Sequence, residues 1–401
     1  MKRTTYHFKS LVILVLILLS LGVACQTQKE TTVTSVPPTE LPPKDAEADF
    51  YFERGLAYAR KGDYDRAIAD YDKAIELDPQ YALAYAARGI ACFNKGDYDR
   101  AIADYDKAIE LDPQFAEAYG NRGLAYDEKG DYDHAIADYD RLIELNPRLA
   151  QTYGNRGLAY VHKGDYDRAI VDLDQAIELD PQYALAYVSR GLAYVEKGDY
   201  DRAIADYDWA IELDPQFALA YGNRGVAYAC KGDYDRAIAD YDQAIELDPQ
   251  LAEAYGKRGF AYAHKGDYDR AIADYDQAIE LDPQYALAYA NRGFAYLYKG
   301  DYDRAIADLD QAIQLDPQYA EAYNNRGLAH AYKGDYDRAI ADYDQAIQLD
   351  PQHALAYANR GLACLNKGDY DRAITDLERA LELGLDPSFE QQAEALLEKL
   401  R

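Results

Sequence analysis

Residues 61–81 read KGDYDRAIADYDKAIELDPQY, and nearly the same string returns every 34 residues. The Gly of Lys-Gly-Asp-Tyr-Asp stands at 62, 96, 130, 164, 198, 232, 266, 300, 334 and 368. A Pro follows at 79, 113, 147, 181, 215, 249, 283, 317 and 351, again 34 apart. A fixed period of this length is the mark of a repeat architecture. Residue 48 is taken as position 1 of the first copy, and positions 1–34 then recur ten times. Positions 4, 8 and 11 fall within an arc of about 60° at 100° per residue, the stripe of one helix. Positions 17, 20, 21, 24, 27 and 28 carry Tyr, Ala, Ile, Tyr, Ala and Ile in the first copy. They share an arc of about 120°, the stripe of a second helix. Gly62 suits the turn between them, and Asp63 or Asp65 suits the cap of the second helix. Asp78-Pro79 ends that helix, because a residue before Pro is pushed out of helical geometry.

Tyr51, Gly55, Tyr58, Ala67, Tyr71, Ala74 and Pro79 stand at positions 4, 8, 11, 20, 24, 27 and 32. In spacing and residue type the unit resembles the tetratricopeptide repeat (TPR), and the match covers residues 48–387. The resemblance implies an all-α fold, with helix-turn-helix repeats stacked as a right-handed superhelical solenoid. One 34-residue unit cannot bury enough surface alone, so stability comes from stacking on neighbours. Gly384-Leu385 delays the last Asp-Pro to 386–387. Residues 388–401 then supply a C-terminal capping helix, with Glu390, Glu394, Glu398 and Lys399 turned outward.

The N-terminus is organised differently. Lys2, Arg3 and Lys9 precede an apolar run from Leu11 to Val23 that closes on Ala24-Cys25. A permanent span needs about 20 apolar residues, so residues 1–24 read as a signal peptide. Leu21-Gly22-Val23-Ala24-Cys25 resembles a bacterial lipobox, which implies a lipid on Cys25 and an anchor at the extracytoplasmic face of the cell envelope. Gly22 departs from the usual Leu. The alternative is an ordinary cleaved signal with an incidental Cys. Residues 25–47 are rich in Thr, Pro and Glu, show no apolar period and read as a disordered tether.

Composition narrows the function. Lys and Arg number 43 against 72 Asp and Glu, a formal net charge of −29. A polyphosphate partner needs basic surface, so nucleic acid is excluded as a partner. Past residue 47 the hydroxyl residues are Thr152, Ser189, Thr375 and Ser388, scattered and none beside a His. The His residues are His134, His162, His264, His330 and His353, and His162 and His264, which share position 13, lie three copies apart, too far to share a metal. Cys92, Cys230 and Cys364 read as small buried hydrophobes. The Asp-Tyr-Asp runs lack the Gly and Glu of a calcium loop and read as caps and solvated surface. We therefore expect no enzyme activity, no metal and no cofactor. The 41 Tyr are expected in the core rather than on a stacking platform.

The copies differ mainly on the first helix, at positions 2, 5, 6, 9, 12 and 13. These lie between about 120° and 240° on the wheel, opposite the packing stripe. In TPR proteins this face lines a groove that binds extended peptides or partner helices. Here it carries Leu83, Leu185, Leu219, Leu287 and Leu355 at position 2. Phe93, Val188, Phe260, Phe294 and Tyr298 add apolar surface, and Glu117, Asp127, Glu128, Glu196, Glu253 and Glu321 add charge. Position 6 is Asn in six copies: Asn121, Asn155, Asn223, Asn291, Asn325 and Asn359. Asn is a poor helix former, so its recurrence needs a reason. A carboxamide both donates and accepts, as a bound peptide backbone requires. The row resembles the asparagine ladder of the TPR domain of a sugar-transferring enzyme. The alternative is that each Asn bonds its own repeat or water, or that the face varies by drift. Lys at positions 2 and 5 and Asn at 9, with which some TPR proteins clamp a chaperone carboxylate, are missing.

Arg occupies position 7 in all ten copies, from Arg54 to Arg360, and is expected to pair with an Asp of the second helix such as Asp70 or Asp104. The expected function is a membrane-tethered scaffold for protein–protein interaction, in envelope assembly or secretion by analogy with TPR lipoproteins. Its partner is a protein or peptide, its contact with the membrane is the lipid alone, and its oligomeric state is open. The alternatives are a specificity module of an enzyme complex and a self-assembling structural solenoid.

Overall fold

The computed structural model describes residues 47–400. The signal, Cys25 and most of the tether lie outside them. The described residues form helices alone, without strands. The first repeat is α1 (Glu47–Ala59) and α2 (Tyr64–Leu77), and the second is α3 (Ala82–Asn94) and α4 (Tyr98–Leu111). The third is α5 (Ala116–Glu128) and α6 (Tyr132–Leu145), the fourth α7 (Ala150–Lys163) and α8 (Tyr166–Leu179). Then come α9 (Ala184–Glu196) and α10 (Tyr200–Leu213), α11 (Ala218–Cys230) and α12 (Tyr234–Leu247). The seventh and eighth pairs are α13 (Ala252–His264) with α14 (Tyr268–Leu281) and α15 (Ala286–Tyr298) with α16 (Tyr302–Leu315). The last are α17 (Ala320–Tyr332) with α18 (Tyr336–Leu349) and α19 (Ala354–Lys367) with α20 (Tyr370–Leu383), followed by α21 (Pro387–Leu400). The first helix begins at Glu47, one residue inside the expected tether. The chain divides into two compact units between Ala193 and Tyr194, within α9.

Each boundary has a local cause. Gly62 takes φ +75°, the left-handed conformation that ends a helix without a Cβ clash. Asp63 then caps α2, accepting from the Arg66 backbone N–H at 3.2 Å. Hydrogen bonds from Arg66 hold the Asp63 carboxyl below the usual carboxylate range, so the cap stays ionised. At the far end, Asp78 accepts from the Gln80 backbone N–H at 2.9 Å and Pro79 prevents continuation. After α20, Gly384 (φ +88°) opens a longer turn, and Pro387 starts α21 where no donor is required. Ala393 and Leu397 of α21 pack on Leu377, while Glu390, Glu394, Glu398 and Lys399 are exposed, as expected of a cap.

The two helices of a repeat cross at position 8. A Cβ on Gly55 would stand 2.6 Å from the Tyr71 ring, and Gly89 and Gly225 face Tyr105 and Tyr241 in the same way. Only a bare backbone admits a ring there. The core is built between repeats. Ala67, Tyr71, Ala91 and Ala101 of three successive helices share one cluster in the first unit. Ala237, Tyr241 and Ala261 share one in the second. Within each unit, helices touch their pair and the next repeat, the nearest-neighbour logic of a solenoid.

Polar groups tie the same junctions. Arg258 Nε and Nη2 fork onto Asp274 at 2.9 and 2.6 Å, and Nη1 donates to Asp242 of the preceding repeat at 2.6 Å. Arg88, Arg122, Arg156, Arg224, Arg292, Arg326 and Arg360 bind the equivalent pairs of carboxylates. The expected pairing of Arg at position 7 with helix-B Asp is therefore present, and each guanidinium also bridges two repeats. The hydrogen bonds to Asp274 and Asp242 hold the Arg258 guanidinium above its ordinary value despite desolvation. Burial pushes the Asp274 carboxyl up, against the pull of Arg258. A second bridge joins Lys at position 14 to Asp at position 18 of the preceding repeat, as in Lys129–Asp99 and Lys265–Asp235.

The tyrosines serve these charges, which corrects the expectation that nearly all are core. Position 24 alone is fully buried, as in Tyr71, Tyr105 and Tyr207. At position 4 the ring carries the Arg of position 7, with Arg88 5.5 Å from the Tyr85 centroid. At position 11 it carries the Arg of position 19, with Arg270 4.3 Å from Tyr262. Such stacking is worth about 0.5–1 kcal/mol at exposed sites. The exceptions show the coupling. Where Cys92 and Cys364 replace that Tyr, Arg100 and Arg372 turn to Asp72 and Asp344 of the preceding repeat, at 3.2 and 2.6 Å. Where His134 replaces the Arg, its ring stacks on Tyr126 at 4.9 Å.

Removing one arm of a buried fork strands its carboxylate. Arg258→Met is expected to cost about 3–5 kcal/mol in urea unfolding, because Asp274 remains buried without its partner. Adding Asp274→Leu should recover most of that loss. An Arg258→Met chain as stable as the parent would show that the fork is decoration.

Candidate protein-binding face

The sequence-variable positions of the first helices divide by their place in the stack. Successive first helices within a unit touch one another. Position 5 lies in that seam and is buried at Ala86, Gly154, Val188, Gly256, Ala290, Asn324 and Ala358. Size matching explains part of its variation. A Cβ on Gly154 would be 2.7 Å from Tyr183, and one on Gly256 would be 3.0 Å from Tyr285. Position 12 is also packed, with Phe93 and Leu297 buried. Phe93 sets its ring against Tyr98, 5.3 Å between centroids. Val188 and Phe93 are therefore interior residues, not the groove surface expected from the helical wheel. The wheel describes a lone helix and has no knowledge of the next repeat.

Position 6 borders the same seam. Asn121, Asn155, Asn291 and Asn359 are half-buried, and Asn223 and Asn325 are buried. The amides are partly engaged between repeats. Asn359 Nδ2 donates to Asn324 Oδ1 at 3.0 Å, and Asn324 Nδ2 donates to Asn325 Oδ1 at 3.3 Å. At this end of the row the alternative reading, a carboxamide bonded within the protein, holds. Lys257 at the same position pairs with Glu253 at 3.1 Å.

Accessible surface is concentrated at the two ends of the first helices and at position 9. At position 2, Leu83 and Leu355 are exposed and Leu185, Leu219 and Leu287 are half-buried. At position 9, Phe260 is exposed and Phe294 half-buried. Position 13 holds Asn94, His162, Glu196, Cys230, His264, Tyr298, Tyr332 and Asn366, all exposed. Cys230 thus differs from Cys92 and Cys364, which are buried. Burial pushes the Cys92 thiol up to about 11, which suits a hydrophobe rather than a nucleophile.

Among the described residues no group of three or more His, Cys, Asp and Glu is placed to hold a metal ion. His162 stands 3.7 Å from Asp127, and His353 2.9 Å from Glu321. No hydroxyl or thiol nucleophile accompanies either pair in these contacts. None of the described helices is long and apolar enough to cross a membrane.

Profiles of the tetratricopeptide repeat match residues 52–116, 86–151 and 188–252, with others of the same family at 157–198, 261–300, 295–333, 320–353, 354–384, 138–171 and 240–273. Together they run without a break from residue 52 to residue 384. The chain belongs to the tetratricopeptide repeat family. Solved structures agree on the fold. The chain is similar to a structure titled APC/C hetero-tetramer Cut9-Hcn1, with 18% identity, TM-score 0.56, and 88% of this chain and 90% of that one covered. It is also similar to a tetratricopeptide repeat protein from Parabacteroides merdae, with 23% identity, TM-score 0.54, and 62% and 98% covered. No curated protein matches the chain. At these identities the similarity concerns the fold, an all-helical repeat array of the kind that serves as a protein-interaction scaffold.

Proposed function

We propose that the chain is a non-catalytic scaffold whose first-helix face binds an extended segment of a partner protein. One observation carries this reading. The groups that hold the repeats together scarcely vary, while the exposed residues that hold nothing vary freely and are often apolar. Leu83, Leu355, Phe260 and Tyr298 present hydrocarbon to water. The half-buried amides of Asn121 and Asn155 in the first unit and of Asn291 in the second offer a peptide backbone both a donor and an acceptor. Backbone contacts repeated along the row would give affinity with little sequence preference, and the Leu and Phe positions would add selectivity. One solved structure of similar fold, the APC/C hetero-tetramer Cut9-Hcn1, is itself an assembly of more than one protein.

The N-terminal sequence supports the second half of the proposal, a lipid on Cys25 that holds the array at the extracytoplasmic face of a membrane. Residues 26–46 would then separate the lipid from α1. A role in envelope assembly or secretion follows from that placement by analogy alone.

Two expected outcomes test the reading. With a partner captured by crosslinking in intact cells, Asn121→Ala, Asn155→Ala and Asn291→Ala together should weaken binding at least tenfold with helical content unchanged. Unchanged affinity removes the amides from the mechanism. Separately, Cys25→Ser should move the protein out of the membrane fraction, and unaltered fractionation and gel mobility would contradict lipidation.

A further inference from the structure

An aromatic edge in the second unit is not explained by folding. Tyr at position 17 of a second helix lies beside position 13 of the next repeat, as in Tyr98–Glu128, Tyr132–His162 and Tyr200–Cys230. In three consecutive repeats that neighbour is aromatic. Tyr234 stacks on His264 at 4.9 Å, Tyr268 on Tyr298 at 5.3 Å and Tyr302 on Tyr332 at 5.3 Å. Phe260 and Phe294 extend the first two pairs, 4.3 and 4.6 Å from His264 and Tyr298. Tyr298 and Tyr332 are 58% and 59% exposed, and Phe260 is 43% exposed. Elsewhere the same site holds Arg60, Asn94, Glu128, Glu196, Cys230 or Asn366, and a lone aromatic at His162, on an almost identical backbone. The aromatic residues therefore supply nothing the repeat requires.

The charges along this edge are spent within the protein. Lys265 pairs with Asp235, Lys299 with Asp269 and Lys333 with Asp303. Arg270 and Arg304 bind Asp267 and Asp301. Desolvation lowers the His264 pKa, which favours a neutral ring at pH 7. The edge is a run of rings in a locally balanced field. Its complement is an extended, nearly uncharged segment that offers flat apolar faces and needs few donors satisfied. Polyproline II is that segment, with three residues per turn and no N–H on each Pro. Aromatic-lined grooves are its usual receptors. One turn rises about 9 Å, close to the spacing of about 8–10 Å between packed helices.

This chain contains such a segment. Residues 33–43 read VTSVPPTELPP, with four Pro and a single charge at Glu40. They lie outside the described residues and end four residues before α1 begins. Residues 36–43 would span about 25 Å as polyproline II, enough to cross three aromatic steps.

We propose that residues 36–43 of one copy dock on the aromatic edge formed by Tyr234–His264, Tyr268–Tyr298 and Tyr302–Tyr332 of a second copy. The pyrrolidine rings of Pro37, Pro38, Pro42 and Pro43 lie on the exposed tyrosine faces, and tyrosine hydroxyls donate to the segment's carbonyls. The tether then also links neighbouring molecules. Phe260 and Tyr298 also belong to the face proposed for the partner, so the Pro37, Pro38, Pro42 and Pro43 substitutions, which leave that face intact, are the ones that separate a failure here from a failure of partner binding.

Two full-length chains carrying different tags are co-expressed, and co-purification in detergent is measured. The parent chains should co-purify. Replacing Pro37, Pro38, Pro42 and Pro43 with Ser, or making Tyr298→Ser with Tyr332→Ser, should reduce co-purification at least tenfold, with circular dichroism unchanged. A synthetic peptide of residues 33–45 should compete with the parent pair. Absence of co-purification, or association that survives both sets of substitutions or ignores the peptide, would overturn the proposal.

Discussion

The structure depends on a guanidinium that belongs to two repeats at once. Arg258 binds Asp274 within its own repeat and Asp242 in the repeat before, and its counterparts do the same along each unit. Apolar packing of Ala, Ile and Tyr supplies most of the driving force, but small residues slide easily over one another. A planar fork with two fixed carboxylates does not slide. It sets the register of one repeat on the next, and its burial makes a missing partner costly. Lys at position 14 and Arg at position 19 repeat the theme nearer the surface, so most of the basic residues are already bound to carboxylates. This is why a chain with net charge −29 stays assembled despite its self-repulsion.

The arrangement separates the task of folding from the task of recognition. The groups that recur in nearly every copy and link the repeats lie on the second helix, in the turn or on the flank of the first helix. The ends of the first helices and position 9 carry no contact common to all copies, and there Leu83, Phe260, Tyr298 and Leu355 reach solvent. A residue can change there without disturbing a fork or a cap. Accumulated differences at such sites can create selectivity, and in the second unit they have created a continuous aromatic edge.

Much of this was legible in the sequence. The 34-residue period, the caps at Asp63 and its equivalents, the stop at Asp-Pro and the closing helix at Pro387 follow from local rules that the neighbours do not override. The Arg54–Asp70 pairing was foreseeable because both residues recur without exception. The binding face was only partly legible. A helical wheel places Val188 and Phe93 on the same face as Leu185, yet the first two are buried. The roles of the tyrosines were hidden for a similar reason. A Tyr at helical spacing reads as core, whereas at positions 4 and 11 it is a platform whose second face carries Arg. The replacements at Cys92, His134 and Cys364, read together with Arg100 and Arg372, were the signal that could have revealed this.

The central claim is that stability resides in the constant seam and recognition in the outward residues of the first helices. Equilibrium unfolding of one exchanged chain tests it most directly. In that chain positions 2, 9 and 13 of the seventh to ninth repeats carry the residues of the second to fourth, so that Tyr298 becomes the equivalent of Glu128. The account predicts an unfolding free energy within about 1 kcal/mol of the parent, as for surface changes that touch no cap, core or buried pair. A loss of several kcal/mol would show that the outward residues hold the fold, and would contradict the separation of the two tasks.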